Sequence, residues 1–174
     1  LILVAILVVF LFFEYLRVEV KTKAEIMNRV WAYVRRGKEK NRIGSDIFLI
    51  IGIIISLAIF DFRIAVTVIL MTTLGDLSAA LIGKRYGKHS FLNMKDRTLE
   101  GTTAQFIVDL LIGISVFIVF SGVSIMNWQM WLVILAIAIT ATTVETLVYE
   151  IDDNLMIPIF AGFVGQIIFI LLNI

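Results

Sequence analysis

Six stretches of this chain are long and almost wholly apolar: residues 1–16, 45–60, 62–82, 102–120, 128–149 and 155–174. A bilayer core of about 30 Å is crossed by roughly 20 helical residues, so each stretch reads as a membrane helix. Composition agrees, because 60% of the 174 residues are apolar, more than one small water-soluble core could hide. Only Asp61 separates the second stretch from the third, which predicts a tight helical hairpin there. Residues 1–13 are uninterrupted by any polar side chain. No basic segment precedes them and no small-residue cleavage site follows, so they read as a membrane helix rather than a signal peptide.

The charges are few in sum and sharply placed. The net charge of +1 argues against a strongly charged partner such as nucleic acid. Nine of the fifteen Lys and Arg residues fall between positions 17 and 42 and five between 84 and 97, leaving only Arg63 elsewhere. Basic loops stay on the cytoplasmic side, and six spans then alternate without conflict, with the uncharged 121–127 loop outside. Within residues 18–42, Thr22-Lys23-Ala24-Glu25 has the form of a capping box. Ile26, Met27, Val30, Trp31 and Val34 follow at helical spacing, with Gly37 as the C-cap. That segment is expected to lie on the cytoplasmic membrane surface as an amphipathic helix among lipid headgroups. The expected fold is therefore all-α: a polytopic integral membrane protein of about six transmembrane helices plus one interfacial helix, in a single membrane-embedded domain over residues 1–174.

An ionisable residue inside a membrane segment is expensive and marks a candidate functional site. Asp76 is one, and small residues Ala79, Ala80 and Gly83 follow on its face. Thr102, Gln105, Asp109 and Gly113 make a polar stripe on the next helix, and Thr142, Glu145 and Tyr149 another on the one after. Interhelical hydrogen bonding accounts for threonines and glutamines; the carboxylates of Asp76, Asp109 and Glu145 call for more. The segment Gly83-Lys84-Arg85-Tyr86-Gly87-Lys88-His89 sets two glycines among cations, which suits a backbone wrapped around phosphate oxygens. It also suits a plain topology-setting loop. Thr98 or Thr102 is the expected N-cap of the following helix. Glu150, Asp152 and Asp153 form an acidic cluster at the basic face, and Pro158 falls near the start of the last helix. Capping explains one of those carboxylates, and a divalent cation explains the cluster. With no cysteine and one histidine, oxygen ligands favour Mg²⁺ over zinc.

Taken together, Asp76-x-x-Ala79-x-x-x-Gly83-x-x-x-Gly87 and the downstream Thr98-Leu99-Glu100-Gly101 resemble the CTP-binding loop of dolichol kinases. Val144-Glu145-Thr146-Leu147 and Asp152-Asp153-Asn154-Leu155-x-x-Pro158 resemble segments of phytol and polyprenol kinases, and Glu14-Tyr15-Leu16-Arg17 resembles the end of an early helix in that family. The likeness runs from about Glu14 to Pro158. Where dolichol kinases carry a Lys-Lys pair before the threonine, this chain has Asp96-Arg97, with Lys95 one place away. The family is related in fold to CDP-diacylglycerol synthases. The resemblance implies transfer of phosphate from Mg²⁺-CTP to a long-chain isoprenoid alcohol, a dolichol or polyprenol drawn from the bilayer, at the cytoplasmic face of a plasma or endoplasmic-reticulum-type membrane.

It further implies roles for particular residues. Asp76, Glu145, Asp152 and Asp153 would be the catalytic and metal-binding carboxylates. Residues 83–101 would form the nucleotide loop, with Ala79, Gly83, Lys84, Gly87, Lys88, His89, Lys95, Arg97, Thr98, Glu100 and Gly101 around the phosphates, Glu100 orienting the loop. Phytol or geranylgeraniol kinase activity and a cytidylyltransferase making a CDP-lipid are the neighbouring readings. A small transporter ranks below them, because the outer helix halves are almost wholly apolar. Self-association stays open.

Overall fold

The computed structural model describes residues 1–19, 44–90, 97–121, 127–147 and 152–174. Its elements are α1 (Ile2–Glu19), α2 (Ser45–Ile59), α3 (Phe62–Leu70), a π turn (Met71–Gly75), α4 (Asp76–Tyr86), α5 (Leu99–Ser121), α6 (Trp128–Leu147) and α7 (Asp153–Leu171). Among the described residues the one extended pairing is a single bridge between Ser90 and Thr98. Among the described residues, four helices are long and apolar enough to cross a membrane: Phe62–Tyr86, Leu99–Phe120, Trp128–Leu147 and Asp153–Leu171. The apolar helix Ser45–Ile59 and the Ile2–Phe12 part of α1 are shorter. The amphipathic segment from residue 20 to 42, the loop 121–127 in its greater part, and Lys95, Tyr149 and Glu150 lie outside the described residues.

Three helix starts have a local cause. Asp61 forms the predicted hairpin by capping α3, its Oδ1 accepting from the Arg63 amide at 3.0 Å and from Arg63 Nε at 2.8 Å. The Asp61 amide donates to Gln166 Oε1 at 2.7 Å, and Arg63 lies over the Phe169 ring at 4.5 Å, so this turn is fastened to α7. Thr98 is the cap of α5: its hydroxyl accepts from the Gly101 amide at 3.1 Å. Asp152 caps α7, accepting from the Asn154 amide at 3.1 Å. Pro158 sits in the second turn of α7, deeper than expected. Lacking an amide hydrogen, it leaves the Asn154 carbonyl without its usual helical donor. That carbonyl faces Gly52 of α2, where an added Cβ would stand 2.8 Å from it.

The core joins α3, α5, α6 and α7 through Ile64, Val68, Met71, Val116, Phe117, Val133, Ile137, Ile157 and Phe169. α6 and α7 pack along each other, as do α5 and α6. The predicted third span does not end at position 82. It continues through Gly83 and the cations to Tyr86, interrupted only by the π turn. Such a turn inserts one extra residue and rotates everything after it about the helix axis. Before the turn the helix faces the core; after it, α4 packs along α5 and buries no residue fully. Asp76 is the first residue past the rotation.

Candidate active site

The last turn of α6 and the first of α7 lie at the same end of the bundle as the start of α5, and Arg97 draws them together. Its guanidinium donates from Nη1 to Glu145 Oε1 and, at 3.2 Å, from Nη2 to Asp153 Oδ2. Glu145 is buried, whereas Arg97 and Asp153 are about a quarter exposed by side chain, at 24% and 29%. Burial works against the charge on Arg97, but Glu145 and Asp153 outweigh it and hold its pKa above the ordinary arginine value. The pair is bidentate across two helices, a geometry lysine cannot reproduce. Asp76 and Asp153 both stand close enough to Glu145 to act on its charge. Three of the four expected carboxylates thus share one neighbourhood.

Asp152 faces the other way. Ser45 Oγ donates to its Oδ2 at 2.6 Å, and Asn154 Nδ2 donates to Ser45 Oγ at 2.8 Å, tying the start of α2 to the start of α7. Burial pushes the Asp152 pKa above the usual aspartate value, against the pull of the Ser45 hydroxyl. Its bonds are those of a helix cap and an interhelical tie. Ser45 carries no signal in the sequence, because a serine at a span boundary has no distinguishing pattern.

The glycines have a defined use within the fold. A Cβ at Gly101 would come 2.8 Å from the Ala79 carbonyl and 3.3 Å from Gly83 Cα, and one at Gly83 would lie 3.0 Å from Thr98 Oγ1. Backbone there meets backbone, so Ala79, Gly83 and Gly101 let α4 and α5 approach closely. Gly83 and Lys84 belong to the last turns of α4 rather than to a loop. Lys84, Arg85, Lys88 and His89 are exposed beyond this contact. His89 is tied to Glu100 by Nδ1···Oε1 at 2.8 Å and by its amide to Oε2 at 3.4 Å, and the Leu99 amide donates to the His89 carbonyl at 2.9 Å. Glu100 therefore orients the basic segment.

Deeper in the bundle, Thr142 Oγ1 donates to Asp109 Oδ2 at 3.3 Å. Gln105 and Asp109, from the polar stripe of α5, are both buried. Among the described residues, no three acidic or histidine side chains form a ready-made metal cage. Mg²⁺ commonly takes one or two carboxylates and completes its shell with phosphate oxygens and water. Glu145 Oε2, buried and without a hydrogen-bond partner, is a donor of that kind, and the residues fit the ion.

Fold and site define a helical protein, with helices long and apolar enough to cross a membrane, whose arginine–carboxylate centre lies where three helix ends meet. The chain is similar to CTP-dependent diacylglycerol kinase 1 of Schizosaccharomyces pombe, 29% identical over 145 residues, covering 80% of this chain and 66% of that protein. It is also similar to probable chloroplastic phytol kinases of Triticum aestivum and Zea mays. Both are 26% identical over 147 residues, covering 80% of this chain and 49% and 48% of theirs. The resemblance to CTP-dependent lipid-alcohol kinases is borne out by these relatives. The chain spans about half to two thirds of the length of the curated relatives it matches. No family model matches it, and no solved structure does.

Proposed function

We propose that this chain phosphorylates the hydroxyl of a long-chain lipid alcohol using CTP. The observation that carries the reading is Arg97 bridging Glu145 and Asp153 beside Asp76, a cation set among carboxylates where a Mg²⁺-bound triphosphate needs both. The relatives' names support CTP as donor and a lipid hydroxyl as acceptor. The phytol kinases favour an isoprenoid acceptor, phytol or a dolichol-like polyprenol, and the diacylglycerol kinase favours a glycerolipid. In this reading the six apolar helices all span the bilayer and the site opens to the cytoplasm on the basic side.

Phosphoryl transfer asks mainly for positioning and charge stabilisation. Asp76, Glu145 and Asp153 would hold Mg²⁺, which when bound neutralises charge on the β- and γ-phosphates. Arg97 exchanges its carboxylate partners for phosphate oxygens as the nucleotide enters, and Lys84, Lys88 and Lys95 hold the outer phosphates. The acceptor oxygen forms a bond to the γ-phosphorus, the bond from that phosphorus to the β,γ-bridging oxygen breaks, CDP leaves, and the hydroxyl proton passes to a site carboxylate. The products are lipid monophosphate and CDP.

The test is transfer of label from CTP to prenols and diacylglycerol by purified protein. Label at the γ-phosphate is expected in the lipid and label at the α-phosphate is not. The reverse pattern would identify a cytidylyltransferase, and no labelled lipid with any nucleotide would overturn the proposal.

A further inference from the structure

One turn of helix separates two buried polar side chains on the face that α5 turns toward the π turn. Gln105 is 1% exposed and Asp109 0%. Thr142 satisfies Asp109 Oδ2, but Asp109 Oδ1 and Gln105 Nε2 have no hydrogen-bond partner. Both side chains lie against Gly75: a Cβ there would fall on Asp109 Oδ1 and stand 3.4 Å from Gln105 Cγ. Leaving such atoms unpaired costs about 1–3 kcal/mol each, more for a charged group. Two such residues one helical turn apart, an amide donor and a carboxyl oxygen, leave hydrogen-bonding capacity for a ligand.

Their chemistry selects the ligand. A hydroxyl accepts one hydrogen bond and donates another, which is the complement of Gln105 Nε2 and Asp109 Oδ1. A phosphate dianion has no hydrogen to donate to Asp109 Oδ1, and a metal cation would meet the amide N–H. The place also lies on the bilayer side of the Arg97 centre. Asp109 follows Leu99 by ten residues of α5, roughly 15 Å of helix rise. Asp76, next to Gly75 in the chain, connects the two. Beside it, α4 buries no residue fully and exposes Leu77 and Leu81 on its outer face.

We propose that Gln105 and Asp109, with Gly75 as the floor, receive the hydroxyl of the lipid alcohol. The hydroxyl accepts from Gln105 Nε2 and donates to Asp109 Oδ1 while the chain runs out beside α4. This rests on the lipid-alcohol reading above and specifies its acceptor site. The two side chains recognise the hydroxyl and leave the tail to the bilayer. Gly75 is required because any side chain there would meet Asp109 Oδ1.

The test uses the whole protein in lipid nanodiscs without nucleotide. A long-chain primary alcohol carrying a diazirine near the hydroxyl is photolysed, and labelled peptides are mapped by mass spectrometry. Labelling is expected at the π turn and at the 105–109 region of α5. Unlabelled alcohol should compete about ten-fold better than its methyl ether, which cannot donate, the equivalent of one hydrogen bond. Gln105→Leu should reduce the labelling by a similar factor while the protein still elutes as a monodisperse peak. In turnover it should raise KM for the alcohol about ten-fold and leave KM for CTP unchanged. Equal competition by ether and alcohol would show that water alone fills the place and would overturn the proposal, as would a parallel rise in both KM values. Hydroxyl-selective labelling without any phosphorylated lipid would sink the kinase reading and leave this site standing.

Discussion

Removal of the Arg97 side chain is the perturbation whose size the structure fixes best. Arg97→Gln breaks two ion pairs at once, one to buried Glu145 and one to part-exposed Asp153. The exposed pair contributes about 0–1 kcal/mol. The buried one matters because its loss strands a carboxylate, a change that costs about 3–5 kcal/mol in proteins. Since Arg97 is itself 24% exposed and water reaches it, the lower end applies, about 3 kcal/mol. For a chain of this size that corresponds to a fall in Tm of roughly 6–12 °C, read by thermal unfolding in a mild detergent. Glu145→Gln in the Arg97→Gln background removes the stranded charge, so the double variant should recover much of the loss. A coupling of about 1–3 kcal/mol is expected. A shift under about 2 °C for Arg97→Gln, or strictly additive single variants, would refute the bridge as a stabilising contact.

The two adjacent aspartates should separate cleanly. Asp152→Ala removes a cap and should cost about 1 kcal/mol of stability while turnover persists, whereas Asp153→Asn should stop turnover with a smaller loss of stability; activity assays alongside melting curves check both. Gly101→Ala should destabilise the protein by about 1–3 kcal/mol without nucleotide, since its Cβ would meet the Ala79 carbonyl at 2.8 Å; unchanged melting with a raised KM for CTP would assign the glycine to the nucleotide instead. Asp61 lies between spans, and its hydrogen bond and charge interaction with Arg63 hold its carboxyl below the ordinary 3.8. A depressed carboxyl stabilises the fold above the unfolded value and loses that contribution as pH falls through the folded one. Wild type should therefore exceed Asp61→Asn in stability at neutral pH, and the two should converge in acid; curves that stay parallel down to about pH 3 would contradict the pairing.

The apolar runs made most of the helices legible, because lipid demands a nearly unbroken stretch and polar punctuation marks its ends. The run 128–149 became Trp128–Leu147 and 155–174 became Asp153–Leu171. The continuation of α4 to Tyr86 was hidden by its cations, which a hydropathy reading treats as loop. The π turn was hidden more deeply, since widening a helix by one residue leaves the composition unchanged. Its only trace is Thr72 and Thr73 returning their hydroxyls to carbonyls a turn back, just before Gly75.

At the site, intramembrane charge pointed to Asp76 and Glu145 without help from geometry. It could not distinguish Asp152 from Asp153, because a cap and a salt-bridge partner are both aspartates at a helix start. Nor could it tell a glycine that admits a phosphate from one that admits a helix. Both need a missing Cβ, and only the position of α5 shows that Gly83 and Gly101 face each other.

A structure of the protein with Mg²⁺ and CTP bound is the most direct trial of the arginine–carboxylate centre. The triphosphate should lie within hydrogen-bond distance of Arg97, with Glu145 and Asp153 released from it and turned to the metal. A nucleotide seated elsewhere, with the Arg97 bridge to Glu145 and Asp153 intact, would contradict the account.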